Sequence, residues 1–469
     1  MSEHARSIDD LSNVHLVGVG GAGMSALARV LVARGATVSG SDVKESRGLV
    51  ALRALGVRAV VGHRSENIAG AGALIVSSAI PTHNAELAAA RASGIPVLQR
   101  AQVLAMLMRE RRGIAVAGTH GKTTTTSMIA MALRHAGLNP TFLIGGDLNE
   151  TGSNAHHGSG EWLVAEADES DGSFLWLAPD IAVVTNIDAD HLDYYRDEDE
   201  ILQAFLSFVH NVRPGGTVVI CDDDAGAARV IDRIPGAVVR YGLGEGQGWR
   251  GRVLERAAGG MRAAVSRDGE ALGEASLSVA GDHNLRNALA AFAVAALAGV
   301  PFATAAEELA VFGGVARRFE FRGLAGDITV VDDYAHHPTE ISATLASARD
   351  RGFERIVAVF QPHRYSRTAA MAGALGASLA AADVAVVTDV YGAGEQPIPG
   401  VTGKQVVDGL LDAAPRARIA YLPVGSDLAG YAARVARPGD LILTLGAGDI
   451  TMLGDEILDR LRSRGSQAP

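Results

Sequence analysis

The residues best equipped for chemistry stand together at Gly118, Thr119, His120, Gly121, Lys122, Thr123 and Thr124, directly after the apolar run GIAVAG (113–118). Glycines there expose successive amides to phosphate oxygens, the Lys122 ammonium suits the β- and γ-phosphates of a nucleotide, and the Thr123 hydroxyl suits Mg²⁺. The loop is the short G-T-x-G-K-T form, since Val116 stands where the longer G-x4-G-K-[ST] pattern has its first glycine. Lysine occurs only at Lys44, Lys122 and Lys404, so amine chemistry has three candidate side chains.

A second glycine loop lies earlier. Gly18, Gly20 and Gly23, with Gly21, Ala22, Met24 and Ser25 completing GVGGAGMS, follow a β-type run and open a helical one. Asp42 ends the next β-type run about 20 residues on, where dinucleotide folds keep an acid for a ribose hydroxyl. The pattern specifies a diphosphate-containing nucleotide, of which NAD is one member; a merely tight turn is the alternative.

EADESDGSF (166–174) and TNIDADHLD (185–193) follow β-type runs, which brings Glu166, Asp168, Glu169, Asp171, Asp188, Asp190, His191 and Asp193 to one rim. Hard oxygens with an imidazole and no cysteine set favour Mg²⁺ over zinc. Glu166 and His191 are the expected ligands, and the other acids are N-caps or solvated charges. His156 and His157 lie in a Gly/Ser/Asn stretch and read as solvated. In GDHNLRNALA (281–290) a helix begins whose first turns carry His283, Asn284 and Asn287, where they can read a purine edge. Further on, ARRF (316–319), DDYAHHPTE (332–340), FQPHRYSRT (360–368) and DVYGAGEQPIP (389–399) crowd charged and aromatic residues at β-run ends. Arg364 and Arg367 can clamp a carboxylate, and Arg317 or Arg318 can reach phosphate.

Elements that position these residues alternate between β and helical patterns throughout, the rhythm of parallel sheets covered by helices. Composition shifts divide the chain at 1–108, 109–314 and 315–469. The 242–275 stretch reads as a peripheral hairpin region, four strands mark the last domain, and the tail RSRGSQAP reads as frayed. The expected fold class is α/β in three domains: an N-terminal Rossmann-like sheet, a central P-loop ATPase-like parallel sheet and a C-terminal Rossmann-like sheet. A net charge of −11 argues against a nucleic-acid partner. The single cysteine, Cys221, reads as a buried strand-end residue in a reducing compartment. The polar start MSEHARSIDD and the lack of any apolar run of about 18 residues make the cytoplasm the expected location, with no membrane partner.

Taken together, GVGGAGMS, GTHGKTTTT, EADESDGSF, TNIDADH, DHNLRN, RRF, DDYAHHPTE, FQPHRYSRT and DVYGAGE resemble the bacterial Mur ligases, from about residue 14 to 450. Within that family the chain is similar to the branch that joins L-alanine to the lactyl carboxylate of UDP-N-acetylmuramate, in peptidoglycan precursor synthesis. The resemblance implies small-molecule substrates, ATP and Mg²⁺, and a monomer or homodimer. It turns the first glycine loop into a UDP-sugar site, with Asp42, Ser77 and Ser78 nearby. It assigns Lys122 and Thr123 to ATP and Mg²⁺, Glu166 and His191 to metals, His283, Asn284 and Asn287 to adenine, and Asp332 to the ribose. Tyr334, His336, His363, Arg364 and Arg367 would flank the amino acid and the reacting carboxyl. His336 or His363 would act as base, and Arg318 would offset phosphoryl charge. Sister ligases use a carbamylated lysine in the central domain, but Lys122 is the only lysine there. Three alternatives stay open: a ligase that adds a ready-made tripeptide, an NAD(P)-dependent oxidoreductase suggested by the first loop alone, and a nucleotide-binding regulator.

Overall fold

Short runs of valine, isoleucine and leucine bounded by polar residues become the strands of three sheets in the computed structural model, which describes residues 7–191, 194–257 and 259–465. The first sheet contains β1 (Asn13–Val17), β2 (Thr37–Asp42), β3 (Arg58–Val61), β4 (Ala73–Val76) and β5 (Val97–Gln99). Their order is β3-β2-β1-β4-β5, every pair parallel. The winding reverses between β1 and β4, so the crevice beyond their ends is where such sheets hold ligands.

The second sheet is built from β6 (Arg112–Ala117), β7 (Thr141–Leu148), β8 (Ser153–His156), β9 (Trp162–Glu166), β10 (Ile181–Val184), β11 (Thr217–Cys221) and β12 (Ala237–Gly242). It continues through β13 (Trp249–Ala257), β14 (Gly260–Arg267) and β15 (Glu270–Leu277), in the order β15-β14-β13-β12-β11-β10-β6-β9-β7-β8. The region expected as a peripheral hairpin therefore extends the central sheet. β6 lies between β10 and β9, with Ala117 level with Val184 and Val116 level with Glu166. The acidic segments after β9 and β10 thus emerge on either side of the phosphate loop.

The third sheet contains β16 (Glu320–Ala325), β17 (Ile328–Asp333), β18 (Ile356–Phe360), β19 (Val384–Val387), β20 (Ile419–Tyr421) and β21 (Leu441–Leu445). Its order is β16-β17-β21-β18-β19-β20, parallel except for β16. Two edge strands, β16 and β20, add to the four expected. Both are short or half exposed, so neither carries a continuous apolar run.

The chain forms two compact units. One comprises Met1–Arg252, Ala264–Ala275 and Arg286–Gly313, with the first sheet and most of the second. The other comprises Val253–Ala263, Ser276–Leu285 and Gly314–Pro469, with the third sheet. In the first unit one apolar core runs from Leu16 and Leu27 through Ala115 and Phe174 to Phe205 and Ile220. Two clusters fill the faces of the third sheet, around Phe360 and Leu443 and around Val359 and Ile442. Side chains alternate between faces along each strand, so neighbours divide between these clusters.

Cys221 ends β11 at 1% exposure, and burial pushes its thiol up to about 12, so it stays protonated. Rather than fraying at once, the tail continues the helix Leu453–Gly465 through its first four residues. The last four residues, the opening 1–6 and Asp193 lie outside the described residues. Among the described residues no helix is long and apolar enough to cross a membrane.

Beneath the first glycine loop lies a fully buried acid, Glu86, in the first turn of the helix Ala85–Ala92. It accepts from Ser41 Oγ (2.6 Å) and Asn67 Nδ2 (2.5 Å), contacts His63 Nδ1 (3.0 Å) and lies 3.6 Å from His15 Nε2. Burial works against its charge, but the nearby His15 ring and the hydrogen bonds from Ser41 and Asn67 outweigh it and lower the pKa to about 2. A folded-state pKa below the unfolded one contributes stability that is present above about pH 4.5 and lost as pH falls toward 2. We expect about 3 kcal/mol to disappear across that window. Urea titrations at pH 5 and pH 3 should show about 2 kcal/mol of this loss, and Glu86→Gln should lessen the pH dependence by about that amount.

Candidate active site

Between β6 and the helix Lys122–His135 the chain must turn sharply, and two glycines make that possible. Gly118 adopts φ +138°, and a Cβ there would collide with Thr185 Oγ1. Gly121 caps the helix at φ +79°, and a Cβ there would lie 2.8 Å from Asn287 Oδ1. The segment after β10 clamps the loop. Thr119 N–H donates to Asn186 O (3.2 Å) and His120 N–H to Asn186 Oδ1 (2.8 Å), while Thr185 Oγ1 and Asn186 Nδ2 donate to His120 O (2.6 and 2.9 Å). Thr119 Oγ1 accepts Asp188 N–H at 2.9 Å. Such a loop ahead of a helix N-terminus has backbone geometry suited to a phosphate.

Lys122 Nζ donates to Gly118 O (2.6 Å), Thr119 O (3.2 Å) and Glu169 Oε1 (2.8 Å). Burial disfavours the ammonium, yet Glu169, Asp168 and Glu166 outweigh it and raise its pKa above the usual lysine value. Glu169 itself is 1% exposed and lies 3.5 Å from His191 Nε2. Among the described residues its buried Oε2 has no hydrogen-bond partner. His191 is held at φ +56°, with its N–H on Asp190 Oδ1 (2.7 Å). Glu166 ends β9 and accepts Gly145 N–H at 2.6 Å. Thr123 is half-buried at the start of the helix, and Thr124 is buried behind it.

In the first glycine loop, Gly18 and Val19 N–H donate to Ser41 O (2.8 and 3.0 Å), and Gly20 N–H donates to Asp42 Oδ2 (2.9 Å). Asp42 Oδ1 takes Val43 N–H (2.8 Å), so this carboxylate braces the loop. The amides of Ala22, Gly23 and Met24 precede the first intrahelical bond, from Ser25 N–H to Gly21 O (2.8 Å), and form the anion-facing end of the helix Ala22–Ala33. Met24 and Ser25 contribute backbone only, because their side chains are buried in the core. Ser77 is half-buried, and exposed Ser78 donates to the Asp171 carboxylate. Arg100, 77 positions from Gly23 in sequence and so outside any local motif, fills the space beside it: a Cβ on Gly23 would lie 3.3 Å from its guanidinium. Arg100 also lies 3.6 Å from Asp168.

In the other unit, residues just past β17, β18 and β19 form a ladder of rings. Tyr334 and His336 meet edge to face (5.3 Å), His336 and His363 likewise (5.6 Å), and His363 stacks on Tyr391 (5.8 Å). Arg364, at φ +68°, caps the helix Tyr365–Ser378, and Arg367 Nη1 lies 3.5 Å from His363 Nδ1. Burial, with His336, Arg367, Arg364 and Arg317 nearby, pushes His363 down to about 3. Arg318 lies over Tyr334 (5.2 Å) and 3.7 Å from Glu340.

Several expectations change. Asp332 is fully buried: Oδ1 accepts Thr444 Oγ1 (2.6 Å) and Oδ2 accepts Thr451 Oγ1 (2.7 Å) and Arg317 Nε (3.2 Å), so it anchors Arg317. Arg317 is spent on that pair and on Gly446 O (2.6 Å), so of the two arginines Arg318 is the candidate for phosphate. In the helix Asp282–Leu297, Asn284 Nδ2 turns back to Ala280 O (2.7 Å), the His283 ring packs on Gly281, and Asn287 is 6% exposed against Gly121. His156 and His157 are half-buried rather than solvated: His156 ends β8, bonds Asn139 Oδ1 (3.1 Å) and packs on Phe142, and burial lowers both pKa values. Glu169, expected as an N-cap or solvated charge, is instead buried on Lys122, while Arg100, Glu340 and Tyr391 were not singled out by sequence, although the last two stand in the quoted motifs.

Comparison with known proteins places each sheet. Residues 13–112 match the model of the Mur ligase family, catalytic domain; 116–295 that of the Mur ligase middle domain; and 317–448 that of the Mur ligase, glutamate ligase domain. The chain is 50% identical to a UDP-N-acetylmuramate--L-alanine ligase of Saccharopolyspora erythraea over 96% of its own length and 93% of the relative's. It is also 50% identical to that of Mycolicibacterium smegmatis, over 98% and 97%. Among solved structures, the UDP-N-acetylmuramate-alanine ligase of Thermotoga maritima superposes with a TM-score of 0.81 at 31% identity, covering 96% of this chain and 99% of that one. A murein peptide ligase of Psychrobacter arcticus gives 0.73 at 26% identity, covering 96% and 98%. With models matched across all three sheets and half its residues shared with full-length relatives, the chain belongs to the Mur ligase family.

Proposed function

We propose that this protein joins L-alanine to the lactyl carboxylate of UDP-N-acetylmuramate, with ATP cleaved to ADP and phosphate through an acyl-phosphate intermediate. The observation that carries the reading is the clamped loop that presents Lys122 beside Glu169, in a chain half identical to relatives bearing that ligase name. In this reading residues 1–108 hold the UDP sugar, 109–314 hold ATP and 315–469 present the amino acid, in a cytoplasmic enzyme of peptidoglycan precursor synthesis. The amides of Ala22, Gly23 and Met24, with Arg100, receive the diphosphate.

Attack of a carboxylate on the γ-phosphorus brings two anions together. Lys122 and Arg318 offset that repulsion and the charge spreading over the transferring phosphoryl group. The donor set fits Mg²⁺: oxygens of Thr123 and Glu166 with the His191 imidazole, no thiolate, and the buried Glu169 Oε2 lacking a donor. Mg²⁺, when bound, supplies positive charge at the phosphate oxygens. Arg364 and Arg367 hold the amino-acid carboxylate.

The tripeptide-adding alternative is less favoured, since the murein peptide ligase is the less similar of the two structures compared. ADP release should require L-alanine and stay at background with the tripeptide. The reverse pattern would replace this reading.

A further inference from the structure

Two histidines of the third sheet compete for the role of proton acceptor in amide formation, and their surroundings separate them. His363 Nδ1 lies 3.5 Å from a donor, Arg367 Nη1, and its ring is packed on Tyr391 among Arg364, Arg367 and Arg317. A proton added there would join a cluster of cations. His336 has the opposite surroundings. Its Nδ1 lies 3.0 Å from Tyr334 O and 3.1 Å from Glu340 Oε2, both acceptors. Nδ1 must therefore carry the hydrogen, and Nε2 keeps its lone pair. Among the described residues Nε2 makes no hydrogen bond, and the ring is 16% exposed.

Glu340 is itself held in place. It lies in the first turn of the helix Pro338–Asp350, is 11% exposed, and its Oε2 also accepts His336 N–H at 3.0 Å. Arg318 approaches its other oxygen at 3.7 Å. Other charged and titratable groups nearby include the adjacent His337, Asp333 and Tyr334 past β17, Arg317, and the His363, Arg364 and Arg367 group past β18.

We propose that Glu340 is a positioning residue for the amide-forming step: it fixes His336 in the Nδ1–H tautomer, so that His336 Nε2 receives the amine proton of the incoming amino acid. The inference rests on the ligase reading above. Alanine's nitrogen, already neutral, attacks the acyl-phosphate carbonyl; the C–N bond forms and the π pair moves onto oxygen. One N–H proton passes to Nε2, and collapse breaks the carbon–oxygen bond and expels inorganic phosphate. The imidazolium then returns its proton to water. Glu340 faces the charge as it develops, which is when a carboxylate partner is most effective.

The test separates nucleophiles by their need for a base. Hydroxylamine is a neutral nucleophile near pH 7 and traps acyl phosphates as hydroxamates without help. In the full chain, Glu340→Ala should lower kcat with L-alanine about 10²-fold. Hydroxamate formation, and scrambling of ¹⁸O from the β,γ-bridge of ATP with UDP-N-acetylmuramate alone, should stay within about twofold. Glu340→Gln, which keeps volume and one acceptor oxygen, should lose less with the same selectivity, and it serves if the alanine variant does not fold. Equal loss with both nucleophiles, or no loss with L-alanine, overturns the role of Glu340. Absence of scrambling in the unaltered protein overturns the acyl-phosphate reading and this proposal with it.

Discussion

Replacing Lys122 with alanine is expected to reduce ADP formation about 10³-fold, roughly 4 kcal/mol of barrier, while affinity for UDP-N-acetylmuramate stays within about twofold. The two halves rest on different residues. Lys122 is the ammonium of the central loop, fixed through Gly118 O, Thr119 O and Glu169. The first glycine loop, the proposed UDP-sugar site, has its own helix amides, Asp42 as a brace and Arg100 beside it. The links that cross between them include Arg100 to Asp168 at 3.6 Å, Ser78 to the Asp171 carboxylate and Asn154 Nδ2 to Ala22 O at 2.8 Å, and none of these involves Lys122. Calorimetric titration of the nucleotide sugar alongside an ADP-release assay checks both halves. Parallel loss of binding and turnover would mean that the loops are not separate sites.

How far the sequence led depends on whether a feature is local. The phosphate loop is legible because its work is done by backbone turns that adjacent glycines encode, and Gly118 and Gly121 hold the φ values such a turn needs. The parallel strands of the three sheets are legible because they are apolar runs. β8, with the polar sequence SNAH, and the three-residue β20 are not, since pairing and not composition makes them strands.

Acid clusters are harder. Glu166, Asp168, Glu169 and Asp171 are alike in one dimension, and only the turn after β9 decides that Glu169 goes inward to 1% exposure. Asp332 and Asp333 are neighbours, yet one takes Arg317 and two threonines while the other takes the amides of Phe319 and Ala335. The His336–Glu340 pair was within reach: four positions apart at a helix start is contact distance.

Glu169 gives the second large effect. It is a buried carboxylate whose one oxygen takes the Lys122 ammonium, with no hydrogen bond at the other. Removing one partner of such a pair strands the other charge, which typically costs about 3–5 kcal/mol, so Glu169→Ala should lower the unfolding free energy by that amount and turnover by at least about 10²-fold. If the stranded ammonium is the cause, adding Lys122→Met to a Glu169→Gln background should recover most of the stability, because the double variant buries no unpaired charge. Turnover should stay at the Lys122→Ala level, since the positive charge at the transferring phosphate is gone. Urea unfolding of the two single variants and the double variant, read beside ADP release, separates the terms. A Glu169→Ala protein as stable as the unaltered one would show that the pair is not formed in solution. A double variant as unstable as the single variants would place the loss in packing around β9 instead of in the stranded charge.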